Sequence, residues 1–346
     1  MSKKPMQTAI PVEDAVGMIL PHDITEIVQG TFKGPAFKKG HIIRSEDIEH
    51  LKRLGKDHIY VIRLEAHQIH EDEAAQVLAA ALIGKGTGLS SAPVEGKITI
   101  VADCDGLLKI NKESLLSFNM LGEVMCSTLH DNTPVKKGEI IAGTRLIPLL
   151  ADRKIIGKAV SIARSGEPVI QVKPLRQAKA GLVITGNEVF HGRIQDRFEP
   201  VLREKLQDLG SEILQVCFTP DDPVLIAEAI RACLSAGADL IVTSGGMSVD
   251  PDDMTREGIR LSGATDIVYG TPVLPGAMFL TGRIGQAPVL GLPACGMFHQ
   301  ITVFDLLLPR ILTGETIGRK ELAELGHGGL CRNCTNCRYP ACDFGK

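Results

Sequence analysis

Several short loops in this chain carry the residue types best suited to binding or chemistry, and each follows a short apolar run. The richest of them reads SGGMSVDPDD, residues 244–253. Its glycines, Gly245 and Gly246, let main-chain N–H groups approach an anion closely, and Ser244 and Ser248 add hydroxyl donors. A helix is expected to begin just after the loop, so its positive N-terminal end favours a phosphate as ligand.

The aspartates of the same loop would repel a bare phosphate unless a divalent cation lies between them. Carboxylates such as Asp252 and Asp253, together with phosphate oxygens, form the environment that Mg²⁺ prefers. A plainer interpretation is that Asp252 or Asp253 caps the next helix and that the two glycines only make a turn. The residues alone leave both interpretations open.

A second group of reactive residues lies near the C-terminus. The cysteines Cys331, Cys334, Cys337 and Cys342 follow one another closely in the segment CRNCTNCRYPAC. In a chain without a secretion signal, this density points to a metal site rather than to disulfides. The spacing resembles that of bacterial ferredoxins and favours an iron–sulfur cluster, with zinc as the alternative. A flexible, oxidisable tail is the third interpretation.

The composition narrows the classes of partner. The chain has 346 residues, 44% of them hydrophobic, with a net charge of -3 and no Trp. Its cations are scattered and its aromatic residues are few, which argues against a nucleic-acid partner. No apolar run is long enough for a membrane span and no signal peptide is evident, so we expect a cytoplasmic protein that binds a small molecule.

Strands and helices alternate from about Ala178 onward, and this predicts which loops meet. The expected strands are Gly181–Thr185, Ser211–Cys217, Asp239–Thr243 and Pro288–Leu292. The expected helices are one that Asp196 and Glu199 start and Gly210 ends, one that Asp222 caps ahead of Pro223, and the segments Met254–Leu261 and Met297–Leu312. This order predicts an α/β fold with a mostly parallel sheet, whose ligand site lies beyond the carboxyl ends of the strands.

The first 176 residues show no cluster that specifies a chemistry. Residues 1–70 are expected to form a small β-rich domain with one helix. Residues 71–176 should form a linker helix over 71–84 and a second β-rich element, in which KIIGKAVSIA (154–163) counts as one of the strand-like runs. The predicted organisation is completed by a ligand-binding domain over 177–318 and a cysteine-rich metal-binding tail over 319–346.

The α/β segment also resembles a known family. Its matching motifs are ITGNEVFHGRIQD, PDDPVLIAEAI, DLIVTSGGMSVDPDDMT, PVLPGAMFLTG and GLPACGMFHQITVFDLLLPRIL. In this order they resemble the molybdopterin-binding domain shared by the MogA/MoaB and MoeA types of molybdenum-cofactor biosynthesis protein and by the CinA family. The resemblance implies a three-layer α/β/α fold whose ligand is a pterin with a dithiolene and a terminal phosphate.

The resemblance also implies roles for individual residues. Those that would contact or shape the pterin-phosphate site are Thr185, Gly186, Glu188, Ser244, Gly245, Gly246, Ser248, Pro275, Gly276, Gly291 and Pro293. Asp222, Asp252 and Asp253 occupy acidic positions used in metal binding or adenylyl transfer, which makes them the candidate catalytic residues. Asp222 also has the plainer interpretation of a helix cap, and Glu188 that of a solvated loop charge.

Three departures from the family pattern bear on activity. Asn187 stands where a carboxylate is common, Leu274–Ala277 lacks two expected lysines, and Ala294-Cys295-Gly296 replaces Gly-Asn-Pro. Binding is therefore expected to be retained, while molybdenum insertion is in doubt.

The leading hypothesis is a molybdopterin-binding protein of cofactor biosynthesis or handling. A transferase-like version would use Mg²⁺ at the aspartate loop to activate a terminal phosphate. The alternatives are a non-catalytic pterin carrier or sensor, a CinA-like nucleotide pyrophosphatase, and a redox module built on the cysteine tail. Expected partners are molybdopterin or its nucleotide derivative and a molybdoenzyme or other cofactor-pathway protein. Members of this fold often associate, so homo-oligomers are also expected.

Overall fold

The computed structural model describes residues 8–28, 32–90, 92–93, 96–248 and 250–346. Its strands are β1 (Thr8–Pro11), β2 (Ile24–Val28), β3 (Phe32–Phe37), β4 (His58–Val61), β5 (Gln68–His70), β6 (Thr87–Leu89), β7 (Lys97–Ala102), β8 (Gly106–Ile110), β9 (Val124–Thr128), β10 (Pro134–Val135), β11 (Ile140–Leu146), β12 (Leu150–Asp152), β13 (Ile170–Lys173), β14 (Lys179–Thr185), β15 (Glu212–Thr219), β16 (Leu240–Ser244), β17 (Thr265–Tyr269), β18 (Leu280–Ile284) and β19 (Ala287–Leu292). The α-helices are α1 (Asp47–Arg53), α2 (Glu71–Leu82), α3 (Lys112–Asn119), α4 (Arg153–Arg164), α5 (Asn187–Phe190), α6 (Phe198–Asp208), α7 (Pro223–Ser235), α8 (Thr255–Leu261), α9 (Val303–Leu312) and α10 (Arg319–Glu324).

The chain divides into two compact units. The first holds the described residues of 8–104, 109–129 and 136–172, and the second those of 105–108, 130–135 and 173–346. No helix in the described part of the chain has the length and apolarity that a membrane span requires.

The first unit is rich in short antiparallel pairings, as its sequence predicts. Strand β1 pairs with β4, and β2 pairs with β3. A separate four-stranded sheet has the order β6-β7-β11-β9. On helix α2, Ala75 and Ala79 pack against Ile98 of β7.

One expectation for this unit is wrong. The run 154–163, expected as a strand, lies within helix α4. Its buried residues Ile156, Ala159 and Ala163 recur at the spacing of one helix face, and the Asp152 carboxylate accepts a hydrogen bond from the Lys154 N–H at 2.8 Å. Helical spacing and a cap therefore outweigh the local richness in β-branched residues.

The second unit is built on a six-stranded sheet with the order β15-β14-β16-β19-β18-β17. Strands β15, β14, β16 and β19 pair in parallel, whereas β18 and β17 continue the sheet antiparallel. The mostly parallel α/β sheet is thus confirmed. The antiparallel pair β17–β18 was not predicted from the sequence.

Both faces of this sheet are covered by helices, because alternate residues of each strand enter different cores. Leu182 lies in a core with residues of α6 and α9 such as Leu206 and Leu307. Its neighbour Val183 lies in a second core with Ile226 of α7 and Ile259 of α8. The two cores make the arrangement three-layered, α/β/α.

The helix starts agree with the sequence only in part. Asp222 caps α7, and Asp196 accepts hydrogen bonds from the N–H groups of Phe198 and Glu199 at the start of α6. The final long helix was expected from Met297 but α9 begins at Val303, because Thr302 and Asp305 form a reciprocal capping box there. Side-chain capping, rather than the apolar run, determines where this helix begins.

Candidate functional site

The candidate site lies at the carboxyl ends of β14, β16 and β19, where three loops meet. Thr185, at the end of β14, is buried, and its hydroxyl donates to the Ser244 carbonyl oxygen at 2.9 Å. The same hydroxyl lies 2.7 Å from the Thr255 hydroxyl at the start of α8. Thr185 therefore holds the strand ends and the helix together, which is a shaping role.

The two glycines of the second loop are required by its path. Gly245 has φ +84 and Gly246 has φ +53, which L-residues rarely adopt. A Cβ on Gly245 would lie 2.5 Å from the Thr185 carbonyl oxygen, and one on Gly246 would collide with the Thr255 hydroxyl. The loop is also anchored by Tyr269, whose hydroxyl donates to the Met247 carbonyl oxygen at 2.7 Å. The turn is thus packed closely against its neighbours.

The prediction that Asp252 or Asp253 caps α8 is wrong. The capping position is Met254, and no side chain hydrogen-bonds to the helix start there. Instead, the Oδ2 atom of Asp253 is buried with no hydrogen-bond partner in the described part of the chain, as is the Oγ atom of Ser244. A buried polar atom without a partner costs free energy, so the Asp253 atom, whose residue lines the cavity, is suited to accept a ligand contact, whereas Ser244 is fully buried.

A third carboxylate belongs to the same acidic region. Asp221 accepts a hydrogen bond from the Asn187 N–H at 2.9 Å. Partial burial raises the pKa of Asp221, and the negative charges of Glu188, Asp253 and Asp252 raise it further. Asp221 is therefore close enough to each of the other three carboxylates to be repelled by them, whereas Asp222 is occupied in capping α7.

A cavity of about 760 Å³ opens beside these loops. The predicted site residues that line it are Gly246, Ser248, Asp253, Pro275, Gly276 and Pro293. Predicted residues that do not line it are Thr185, Gly186, Glu188, Asp222, Ser244, Gly245, Asp252 and Gly291. Of these, Gly291 lies behind the wall, since a Cβ there would be 2.6 Å from the Met247 methyl group. The structure thus brings together about half of the predicted set around one opening.

Several lining residues were not predicted to belong to this site, although Cys331 was predicted as a metal ligand. They are Met247, Asp250, Leu274, Ala277, Met278, Ala294, Cys295, His299, Leu330, Cys331 and Asn333. Most of the wall is apolar, and none of the described lining residues is Lys or Arg. Cys295 stood out in the sequence only as a departure from a pattern, and nothing local placed Leu330 or Asn333 here.

The four C-terminal cysteines, predicted to hold a metal, differ in their exposure. Cys331 and Cys342 are half-buried and pack against the core of the second unit, while Cys334 and Cys337 are exposed. Across the described residues, no three His, Cys, Asp or Glu side chains are arranged to hold a metal ion. The structure therefore does not support the tetrathiolate prediction, since the described side chains show no such arrangement.

The carboxylates predicted to bind Mg²⁺ lie near the cavity rather than in the tail. The carboxylates of Asp221, Asp252 and Asp253 supply hard oxygen ligands in one region, and their mutual repulsion would be relieved by a cation. They do not form a complete ligand set by themselves. Mg²⁺ commonly binds through one or two carboxylates and completes its shell with substrate phosphates and water, so Asp221, Asp252 and Asp253 are the residues that would hold it.

Comparison with known proteins agrees with this site. Residues 181–313 match the family model described as a probable molybdopterin binding domain, and residues 9–63 match a domain of unknown function. A CinA-like protein of Mycobacterium tuberculosis is 46% identical over 80 residues, which is 23% of this chain and 19% of the relative. The chain therefore spans only about a fifth of the length of that relative.

Two solved structures are similar to parts of the chain. One is the molybdopterin biosynthesis enzyme MoaB of Thermus thermophilus, with 24% identity, a TM-score of 0.35, and coverage of 40% of this chain and 98% of that one. The other is a molybdopterin biosynthesis MoeA protein of Pyrococcus horikoshii, with 16% identity, a TM-score of 0.34, and coverage of 71% and 79%. The loops and most of the cavity described above lie inside residues 181–313, the segment that matches the family model described as a probable molybdopterin binding domain.

Proposed function

We propose that this domain binds molybdopterin, or a nucleotide derivative of it, and that the protein acts in the biosynthesis or handling of the molybdenum cofactor. The observation that carries the proposal is the cavity of about 760 Å³ at the strand ends. Its volume lies within the range of small-molecule sites, and its position is where ligands bind in open α/β sheets. The family match over the same residues supplies the class of ligand.

The lining of the cavity suits a flat heterocycle. Apolar groups such as Met247 and Pro275 can cover ring faces, while the carboxylates of Asp250 and Asp253 can accept hydrogen bonds from ring N–H and amino groups. Without a described Lys or Arg in the wall, a phosphate group needs another source of positive potential. Main-chain N–H groups of the glycine turn and a divalent cation at the acidic residues are the sources that this chain offers.

Whether the site also turns over its ligand depends on the acidic residues. In a transferase-like enzyme, Asp253 and its neighbours would hold Mg²⁺, which would supply charge neutralisation at the phosphates. An oxygen of the pterin's terminal phosphate would then attack the α-phosphate of a nucleoside triphosphate, and pyrophosphate would leave. In a carrier, the same residues would only orient the ligand. Asp253→Asn should therefore abolish turnover in the first case, whereas in the second it should change only pterin affinity, because a carrier has no turnover to lose.

Binding is tested by anaerobic equilibrium dialysis with molybdopterin, followed by oxidation and fluorescence of the recovered pterin. Ala294 lines the cavity and is exposed, so Ala294→Trp should fill the site at little cost to folding. Ala232 is an exposed alanine of α7 outside the cavity, so Ala232→Trp is the matched control. We expect saturable binding by the wild type and the control and its loss in Ala294→Trp. Equal binding by both variants, or none by the wild type, would contradict the proposal.

A second candidate is hydrolysis of a nucleotide pyrophosphate. It is favoured by the 46% identity with CinA-like proteins over 80 residues. The discriminating assay supplies ADP-ribose with Mg²⁺ to the wild type and to Asp253→Asn. Turnover that requires Asp253, in a protein with no pterin affinity, would establish this activity in place of molybdopterin binding.

A further inference from the structure

The C-terminal segment is attached directly to the cavity wall. The Leu274 N–H donates to the Gly329 carbonyl oxygen at 2.8 Å, and the Cys331 N–H donates to the Leu274 carbonyl oxygen at 2.8 Å. Leu274 and Leu330 thus form a parallel bridge. Because Leu274 precedes two wall residues, Pro275 and Gly276, this pairing fixes the tail at the edge of the cavity.

Tail side chains then complete the wall. Leu330, Cys331 and Asn333 line the same cavity as the loop residues Cys295 and His299. Leu274 and Leu330 keep 56% and 70% of their surface exposed. Such apolar surface around a cavity is typical of a surface that a ligand covers.

The four-cysteine motif is therefore divided by position. Cys331 lines the cavity, whereas Cys334 and Cys337 are exposed and outside the lining. Cys342 packs with Tyr339 against the core of the second unit. Of these four cysteines, only Cys331 is therefore placed to contact a molecule in the cavity.

We propose that the tail segment Leu330–Asn333 is a ligand-binding element, in which Cys331 contacts the bound heterocycle and Asn333 recognises its polar edge. This inference rests on the proposed function, since it concerns the same cavity. Asp250 and Asp253 can only accept hydrogen bonds when ionised, so a ring carbonyl oxygen needs a donor elsewhere in the wall. The Asn333 amide provides both a donor and an acceptor, which matches the mixed edge of a pterin.

Substitutions of Asn333 can test the hydrogen bonds of its side-chain amide without changing its backbone conformation. Asn333 has φ 51, a conformation that Asn and Gly tolerate better than other residues. Asn333→Gly therefore keeps the turn and removes only the amide. We expect it to weaken pterin affinity by about 3- to 10-fold, the effect of one hydrogen bond, with no loss of thermal stability. Asn333→Asp, which loses the donor and adds charge, should weaken affinity at least as much.

Contact with Cys331 is tested by ligand protection from N-ethylmaleimide in the full chain. Trypsin cleaves after Arg332, which places Cys331 on the peptide 321–332 and both Cys334 and Cys337 on 333–338. Mass spectrometry then reports each labelling rate from the same sample. The ligand is molybdopterin whose two sulfurs have been alkylated beforehand, so that it does not consume the reagent. With this ligand at about ten times its Kd, labelling of Cys331 should slow roughly tenfold, because about nine-tenths of the sites are filled. Labelling of Cys334 and Cys337 should not change.

The outcomes separate this inference from the proposed function. If molybdopterin binds in dialysis but labelling of Cys331 is unaffected and Asn333→Gly binds normally, the tail is not part of the site and only this inference fails. If ADP-ribose alone protects Cys331, the tail element stands while the ligand class changes. If none of molybdopterin, 6-hydroxymethylpterin or ADP-ribose protects Cys331, the segment is not a ligand-binding element. Equal protection of all three labelled cysteines would indicate a general change in the tail and would also refute the contact.

Discussion

The close packing of the glycine turn makes a quantitative prediction about Gly246. In Gly246→Ala, the new methyl group must adopt φ +53 and displace the Thr255 hydroxyl. The left-handed backbone costs an L-residue about 1–2 kcal/mol. Moving Thr255 breaks its buried hydrogen bond with Thr185, which costs about 1–3 kcal/mol more. We therefore expect the free energy of unfolding to fall by roughly 2–5 kcal/mol.

A second glycine of the same unit, Gly285, serves as a control that measures only the free-energy cost of a left-handed backbone in an alanine variant. Gly285 has φ +58 but no atom within 4 Å of an added Cβ. Gly285→Ala should therefore lose only about 1–2 kcal/mol. Any stabilisation through the unfolded chain is common to both alanine variants and cancels in the comparison.

The contact with Thr255 is tested by a double-mutant cycle. Removing the hydroxyl with Thr255→Ala leaves the Cβ of residue 255, at 3.3 Å, as the nearest side-chain atom to the new methyl group. In that background Gly246→Ala should cost no more than Gly285→Ala does. The assay is urea unfolding followed by circular dichroism, since the chain has no Trp. Equal losses for Gly246→Ala and Gly285→Ala, or an undiminished cost in the Thr255→Ala background, would refute the reasoning.

Two further predictions concern charges in the second unit. Lys205 donates to Asp305 and to the Gln300 carbonyl oxygen in a largely buried pair, so Lys205→Met should lower the unfolding free energy by about 1–3 kcal/mol. Lys179→Met removes an exposed ion pair, in which the Lys179 Nζ atom lies 3.9 Å from a Glu212 carboxylate oxygen, and should lower the unfolding free energy by less than about 1 kcal/mol. Urea unfolding of both variants measures the two losses, and equal losses would contradict the burial argument. The pKa of Asp221 is raised in the folded state. Its ionised form therefore destabilises the fold at pH values above that folded-state pKa, and this destabilisation is absent once the pH falls below the pKa of Asp in the unfolded chain, about 3.9. Asp221→Asn should therefore raise the melting temperature at pH 7 but not at pH 3, and an advantage that persists unchanged at pH 3 would contradict this origin.

Much of the site could be predicted because its signals are local. Pro223 after Asp222 marked a helix start, and the Asp222 carboxylate does hydrogen-bond to the first turn of α7. The two glycines marked a turn with positive φ, which Gly245 and Gly246 both adopt. Such features depend on a few neighbouring residues, so the sequence contains nearly all of the information that they need.

Other expectations failed where distant residues decide the outcome. Asp253 has the right position for a helix cap, yet its buried Oδ2 atom makes no hydrogen bond in the described part of the chain. The cysteines have the spacing of a metal motif, which the structure does not support: Cys331 and Cys342 pack against the core, whereas Cys334 and Cys337 are exposed. Spacing along the chain limits how close side chains can come, but their directions are set by what each segment packs against.

The sequence by itself determined the alternation of strands and helices after residue 178 and the loops at the strand ends, because periodicity and capping are properties of short segments. Only the tertiary structure decided that the tail forms part of the cavity. The bonds that hold it join the main-chain groups of Leu274 to those of Gly329 and Cys331. Nearly every residue carries the same N–H and C=O groups, so residue types do not reveal which distant segments will pair.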